Sequence, residues 1–435
     1  MTNLPRRLRN ILYNLRGGFL VRPLVIALSL GFLGALISGL EEAFPYASDW
    51  VPRLLFPSHS DPQVAQVILG GIAASIMTVV SIVFAILLMT LTLASMQFSP
   101  RIIVGFVQDG VTQWTLGVFL GTFLYCMAAL PTARSLPRPF APVAAVTGAM
   151  LLALACVALL LFFIHHIAYA ISVSHIVDRI ATETERIIDE LMPFPYREVT
   201  SEPPPAANGS LFDTAFVTEK SGYIRYIDLK RLVALSKASR VRVHVVRRVG
   251  QFVPAGTPLL TIYKGSRLTP EAAGDFRDAF DLGPSRTLQQ DVEFGILQIV
   301  DIALRAISPA VNDPSTGITC VDHLSRILIR FASRGPAPRV FYDPPGTPRV
   351  EIAWAGFEQL LDTAFEQIRM YAKGDQAVSL RLLRALGDIA STTPDKGFQK
   401  ALQERGRRIV DGCAEKLTEA EIHSLRVRLA ALSGQ

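Results

Sequence analysis

Apolar positions are concentrated in four stretches within the first 175 residues, and about 260 mostly polar residues follow them. The stretches cover residues 24–40, 67–96, 111–130 and 142–170. A bilayer crossing takes roughly 17–25 apolar residues in helical form, so each stretch is long enough for one. The second is longer than a crossing needs, which implies tilt or projection beyond the membrane. Arg6, Arg7, Arg9, Arg16 and Arg22 precede the first stretch and Glu41 and Glu42 follow it directly. That pattern lacks the short apolar region and small-residue cleavage site of a signal peptide, and predicts an uncleaved first helix.

Beyond residue 170 the apolar positions change period. Val173, Ile176, Val177, Ile180, Ile187, Ile188 and Leu191 recur at helical spacing, with Asp178, Arg179, Glu183, Arg186 and Asp189 between them. This predicts an amphipathic helix continuous with the fourth span. As one rod over 143–192 it would measure about 75 Å at 1.5 Å per residue. Residues 202–210 (EPPPAANGS) then read as a linker. Alternation predicts strands at 214–218, 223–227 and 241–245, with a short helix at 229–239 capped by Asp228. Residues 249–263 contain turn glycines Gly250 and Gly256 and a closing strand at 259–263.

The remainder reads as mainly helical. Thr287 and Gln290 fit a capping box for a helix running to about Ile307. Asp313 with Pro314 fits the start of the next helix, whose apolar face carries Ile318, Val321, Leu324, Ile327, Leu328 and Phe331. Residues 340–342 and 350–352 flank a DPPGTP turn as a hairpin, and three or four helices finish the chain, the last capped by Thr418 and Glu421. The expected fold is an α-helical membrane protein with four transmembrane helices and a cytosolic α+β region, a small β-barrel or sandwich-like module followed by a helical domain. The expected division is 1–175 for the membrane domain, 176–210 for helix extension and linker, 211–265 for the β-rich module and 266–435 for the helical domain.

Arginine placement sets the orientation, since cytoplasmic flanks are enriched in Lys and Arg. The N-terminal tail, Arg101, Arg179 and Arg186 fall on one side, and four crossings return the chain to it. Both termini are therefore expected in the cytosol of a bacterium, with the chain in its inner membrane. The chain carries net charge +6, pI about 9.2 and mean hydropathy +0.35. Arginines at membrane ends account for the basic balance, and no nucleic acid partner is expected. Cys126, Cys156, Cys320 and Cys413 form no CxxC pair, which argues against a zinc site or a disulfide framework.

Several residues are candidates for chemistry. The second span carries a small and polar stripe, Gly71, Ser75, Thr78, Ser81, Ala85 and Thr92, suited to lining a narrow pore or to close helix packing. Arg101 would stand at the mouth of such a path and bias it toward anions. His165 and His166 lie near the cytosolic end of the fourth span, where ionisable groups face water or a bundle interior. They point about 100° apart on a helix, which does not suit one shared metal. Asp291, Asp301, Arg305, Asn312 and Asp313 form the densest polar constellation. Asp291, Gln298 and Arg305 would project within about 40° of one another on a helix. A small-ligand or cation site and a set of ion pairs plus a helix cap both fit these residues; no metal-ligand spacing occurs among them.

Two resemblances follow. Residues 249–263 resemble the barrel-sandwich hybrid of biotinyl and lipoyl carriers and membrane-fusion adaptors, but no lysine lies between Ala238 and Tyr263 to hold a covalent cofactor. No cofactor is expected. The words QFSPR (97–101), LGVFLGTFLYC (116–126), FIHHIA (163–168) and QDVEFGILQIVDIALRAISPAVNDPSTGITCVDHL (290–324) resemble the bacterial predicted membrane proteins grouped as domain of unknown function 2254. That resemblance covers nearly the whole chain and implies the topology; it implies no reaction. No P-loop, GxSxG or GxGxxG occurs. The pattern fits an oligomeric conduit for ions or small solutes gated by its cytosolic domain, a membrane-anchored sensor or scaffold, or a membrane-bound enzyme acting on a lipid or nucleotide. The lipid bilayer, further copies of the chain and a small ion or solute are the expected partners.

Overall fold

The protein is described here from a computed structural model, over residues 21–44, 61–135, 139–194, 214–265, 268, 270–343, 346–393 and 395–433, apart from 98–109 and 171. It divides into two compact units, Met1–Ser172 and Val173–Gln435.

Four helices in the first unit are long and apolar enough to cross a membrane: α1 (Val21–Ala43), α2 (Pro62–Gln97), α3 (Gly110–Ala129) and α4 (Val143–Ala170). Their outer faces are mostly apolar, with Phe32, Val67, Leu88, Leu154 and Leu161 exposed. A helix hydrophobic on all sides belongs in lipid or a large core. Small residues let α1 and α3 approach closely. A Cβ on Gly34 would lie 2.6 Å from the Tyr125 carbonyl oxygen, and one on Gly121 would lie 2.5 Å from Leu30 Cδ1. The Gly117/Gly121 pair is therefore used within the chain, against Pro23, Ile26 and Leu30.

One end of this bundle is tied by polar groups. Glu41, 2% exposed, accepts from the amides of Ala144 (2.9 Å) and Ala145 (3.3 Å) at the start of α4. Those amides have no partner within their own helix. The Tyr125 hydroxyl donates to the Ala145 carbonyl (3.1 Å), Gln66 donates to the Ala133 carbonyl (2.7 Å), and Arg134 pairs with Glu42.

The second unit begins with α5 (Val173–Leu191). The continuous rod expected over 143–192 is instead two helices, since α4 ends at Ala170 and Ser172 is not helical. The Ser172 amide still bonds back to the Tyr169 carbonyl (3.1 Å), a turn that closes the helix. As its period predicts, α5 buries Ile176, Val177, Ile180, Ala181, Ile187 and Ile188.

The strands are β1 (Thr214–Val217), β2 (Gly222–Ile227), β3 (Arg242–Val245), β4 (Phe252–Val253), β5 (Pro258–Tyr263), β6 (Phe280–Gly283), β7 (Val340–Asp343) and β8 (Thr347–Ile352). They form a five-stranded sheet in the order β1-β5-β3-β8-β7 and a three-stranded sheet in the order β4-β2-β6. Ile224, Ile227 and Val253 from the smaller sheet share one apolar core with Val243, Leu260 and Ile262 from the larger. β7 and β8 form the expected hairpin, but β8 also pairs in parallel with β3, Val243 opposite Val350. The sheets thus take strands from beyond residue 265.

Helices α6 (Leu229–Ala238) and α7 (Pro270–Arg277) accompany the strands. The helical remainder is α8 (Val292–Ala306), α9 (Pro314–Ala332), α10 (Phe357–Tyr371), α11 (Gln376–Thr392), α12 (Lys396–Cys413) and α13 (Glu419–Ser433). Asp228 and Asp313 cap α6 and α9 through the amides of Arg231 and Thr316, as their positions predict. Glu421 receives both the amide and the hydroxyl of Thr418 at the head of α13. The capping box expected at Thr287 and Gln290 does not form. Asp291 caps α8 instead, and the Gln290 side chain bonds the backbone of Ile227 on β2.

Candidate functional site

On α2 the buried face is mainly apolar, with Ala65, Leu69, Ala73, Ile76, Val80 and Val83, joined by Thr90. Ser75, Thr78, Ser81, Ala85 and Thr92 are all exposed. On a helical wheel Ser81, Thr92, Ala85 and Thr78 span about 60°, opposite the buried face. The hydroxyls of Thr78, Ser81 and Thr92 donate to the carbonyls four residues earlier, at 3.1, 2.9 and 2.8 Å. Ser75 lies to one side, on a groove of about 460 Å³ between α2 and α4 whose other walls are apolar. Arg101 lies outside the described residues. On α4 His165 is exposed, while His166 is half-buried and stacked on Phe162 at 6.2 Å between ring centroids.

The polar constellation of the second unit resolves into structural parts. Asp291, 4% exposed, accepts from the Phe294 amide (3.0 Å) and from Arg286 at 2.8 and 2.9 Å. Arg286 also reaches Glu293 (3.1 Å). Glu293 takes a bond from Gln359 (2.7 Å) and pairs with Arg248 at 3.4 Å, and Arg248 donates to Gln359 (2.7 Å). Two arginines and two carboxylates thus close a neutral network beside α8. Burial works to lower the Arg286 pKa, but Asp291 and Glu293 outweigh it and hold the guanidinium above its ordinary value. Gly250 makes room for the network: its φ is +87°, and a Cβ there would stand 2.3 Å from Asp291 Oδ2.

The face expected for Asp291, Gln298 and Arg305 lacks Asp291, while Gln298 and Arg305, seven residues apart, remain on one side of α8. Asp291 sits at the cap with Arg286, Gln298 is 5% exposed in the core, and Arg305 is exposed. Asp301 is half-buried on the same helix. Asn312 has φ +50°, a left-handed conformation that asparagine tolerates, and its amide bonds the Ser308 carbonyl (2.8 Å). It turns the chain so that Asp313 can cap α9. The Thr316 hydroxyl and amide donate to Asp313 at 2.6 and 3.1 Å and hold its carboxyl below the usual range. Among the described residues no three His, Cys, Asp or Glu side chains gather as a metal site would require.

A second polar array was not anticipated. Arg326 and Arg330 on α9, and Arg334 just past its end, face acidic residues of α5. Arg326 bonds Asp178 (2.7 Å), Glu185 (2.6 Å) and Thr182 (3.1 Å). Arg330 and Arg334 share Asp189, at 2.5 and 2.6 Å. Hydrogen bonds from Arg330, then from Arg334, hold the Asp189 carboxyl below its usual range against the opposing effect of burial. Beneath the ladder a Cβ on Gly295 of α8 would stand 2.0 Å from Thr184 Oγ1, so α5 seats directly on α8. The signal lay in the four-residue spacing of the arginines, opposite carboxylates at helical spacing on an amphipathic helix.

No solved structure matches the chain. An uncharacterised protein of Mycobacterium bovis and one of Mycobacterium tuberculosis are each 31% identical to it over 440 residues, covering 99% of this chain and 82% of the relative. The model of a family described as a predicted membrane protein, domain of unknown function 2254, matches residues 16–388. With four membrane-length helices and a match over most of its length, the chain belongs to that family of predicted membrane proteins.

Proposed function

We propose that the protein is a homo-oligomer of the bacterial inner membrane whose copies meet along α2 around a path for ions or small solutes. The second unit is its cytosolic regulator, and its two sheets act as a sandwich-like platform. Both termini lie in the cytosol on this reading, by the arginine distribution. The observation that carries it is the inversion of α2. Its mainly apolar side, with Thr90, faces its own bundle, while Thr78, Ser81 and Thr92 face away. Polar groups at membrane depth ordinarily face protein or water. Copies gathered on one axis give these hydroxyls that surround, where oxygens replace part of an ion's water shell.

A membrane-anchored sensor or scaffold is the second reading. It is favoured by the bonds those hydroxyls make to their own helix, which lower the cost of leaving them in lipid. Cross-linking tests the assembly through this face that the conduit requires. All four cysteines are buried, so a single introduced cysteine can be followed. Ala85→Cys is expected to form inter-chain disulfides on mild oxidation in membranes, while Val83→Cys, on the buried face, is not. Native oligomers whose Ala85→Cys chains never cross-link would contradict assembly through this face.

A further inference from the structure

A cavity in the Val173–Gln435 unit adjoins the space beside the Asp291 network, sharing Met192, Phe331, Ala337, Trp354 and Ala355 with it, but none of the network's charged residues line this cavity. It measures about 430 Å³, within the range of small-molecule sites. Four aromatic side chains contribute to its walls. Phe357 stacks on Phe398 at 4.0 Å and 17°, and Phe331 lies 6.4 Å from Phe357, giving a short column of rings. Trp354 completes the wall, its indole fixed by a bond to the Pro338 carbonyl (2.9 Å). Phe398 and Trp354 are only half-buried, so aromatic surface remains open to the cavity.

The polar lining is cationic in balance. Arg334 is held in place by Asp189, which it shares with Arg330. Arg339 is exposed, and its side chain has no ion-pair or hydrogen-bond partner among the described residues. The one carboxylate in the lining, Asp395, is turned to the amides of Gly397 and Phe398 at the start of α12. The lining thus holds two arginines against one aspartate, and the arginine with unused donors is at the cavity. A guanidinium with free donors binds phosphate or carboxylate through paired hydrogen bonds, and open aromatic faces take up a planar ring.

We propose that this cavity is a binding site for a small anion carrying a planar ring, with a nucleoside monophosphate as its simplest representative. Arg339 meets the anionic group and Trp354 and Phe398 meet the ring. Arg334 belongs to both the cavity and the ladder to α5, so occupancy would act on the contact that holds α5. The binding claim itself does not depend on the conduit reading.

The test uses the full chain in detergent or nanodiscs, titrated with AMP, adenosine and inorganic phosphate by calorimetry. AMP is expected to bind more tightly than either of its parts. Arg339→Glu, at an exposed position that should not affect folding, is expected to weaken AMP at least tenfold and to leave adenosine unchanged. Ala337→Trp, which fills the cavity, is expected to abolish binding of AMP. The proposal is overturned by no AMP binding at millimolar concentration, by equal affinity for AMP and adenosine or for AMP and phosphate, or by AMP binding that survives either substitution. Failure here leaves the cross-linking result at Ala85→Cys untouched, and the reverse also holds.

Discussion

Single residues in this chain hold element ends more often than they present chemistry. Asp313 is the clearest case. It was legible because Asp followed by Pro is a helix start by its own physics: the carboxylate takes an orphan amide, and proline lacks the donor it would waste. Asp313→Ala is expected to cost about 1 kcal/mol of stability, and Asp313→Ser little. Denaturant titration of both variants checks this; a loss of ligand binding or activity with unchanged stability would contradict the capping role. Asp291 was legible only as a polar residue near a helix. Thr287 and Gln290 satisfied the local rule for a capping box, but Gln290 is taken by the end of β2, and Asp291 is oriented by Arg286. Local spacing could not reveal a competitor brought by a strand more than 60 residues away in sequence. Glu41 illustrates the same limit. It read as a charge flanking the first span, yet it caps a helix that starts about a hundred residues later.

At the scale of elements, periodicity sufficed wherever a helix buries one face or none. The four spans were expected at 24–40, 67–96, 111–130 and 142–170 and occur at Val21–Ala43, Pro62–Gln97, Gly110–Ala129 and Val143–Ala170. The parallel pairing of β3 with β8 was not legible, because alternation marks a strand but not its partner. The contact of α5 with α9 joins the two kinds of information: an amphipathic face visible in sequence and an arginine ladder visible only once the helices meet. His323 of α9 lies within that contact, facing Asp178 and Glu185 of α5 and Asp322 and Arg326 of its own helix. Burial lowers its pKa below 6.5, opposed by Asp178 and aided by Arg326. The folded unit therefore binds a proton less readily than the unfolded chain, and stability is lost as pH falls below 6.5 toward the folded value. Carboxylates held low, such as Asp189 and Asp313, add a separate loss below 3.8. Thermal unfolding followed between pH 7.5 and 5.5 should show a falling midpoint, and His323→Gln should flatten that slope. Identical slopes for the two proteins would contradict the assignment to His323.

For the whole molecule, the sequence shows an apolar first part and a polar second part because lipid and water impose different compositions, and that asymmetry was legible at once. What the membrane part does was not, because a small and polar helix face suits a path and a packing seam equally well. The outward position of Thr78, Ser81 and Thr92 turns the question into one of what lies against α2. The most direct measurement is the current through reconstituted full-length protein, compared with Thr78→Trp and with size-exclusion profiles of both. The conduit account predicts conduction by the native protein under voltage, tension or ligand. It also predicts that the tryptophan blocks conduction while the oligomer stays intact, since the ring projects into the path. A packing seam predicts that the same ring breaks the oligomer, because close-approach positions cannot hold it. Correctly assembled native protein that passes no current under any of these conditions would contradict the account.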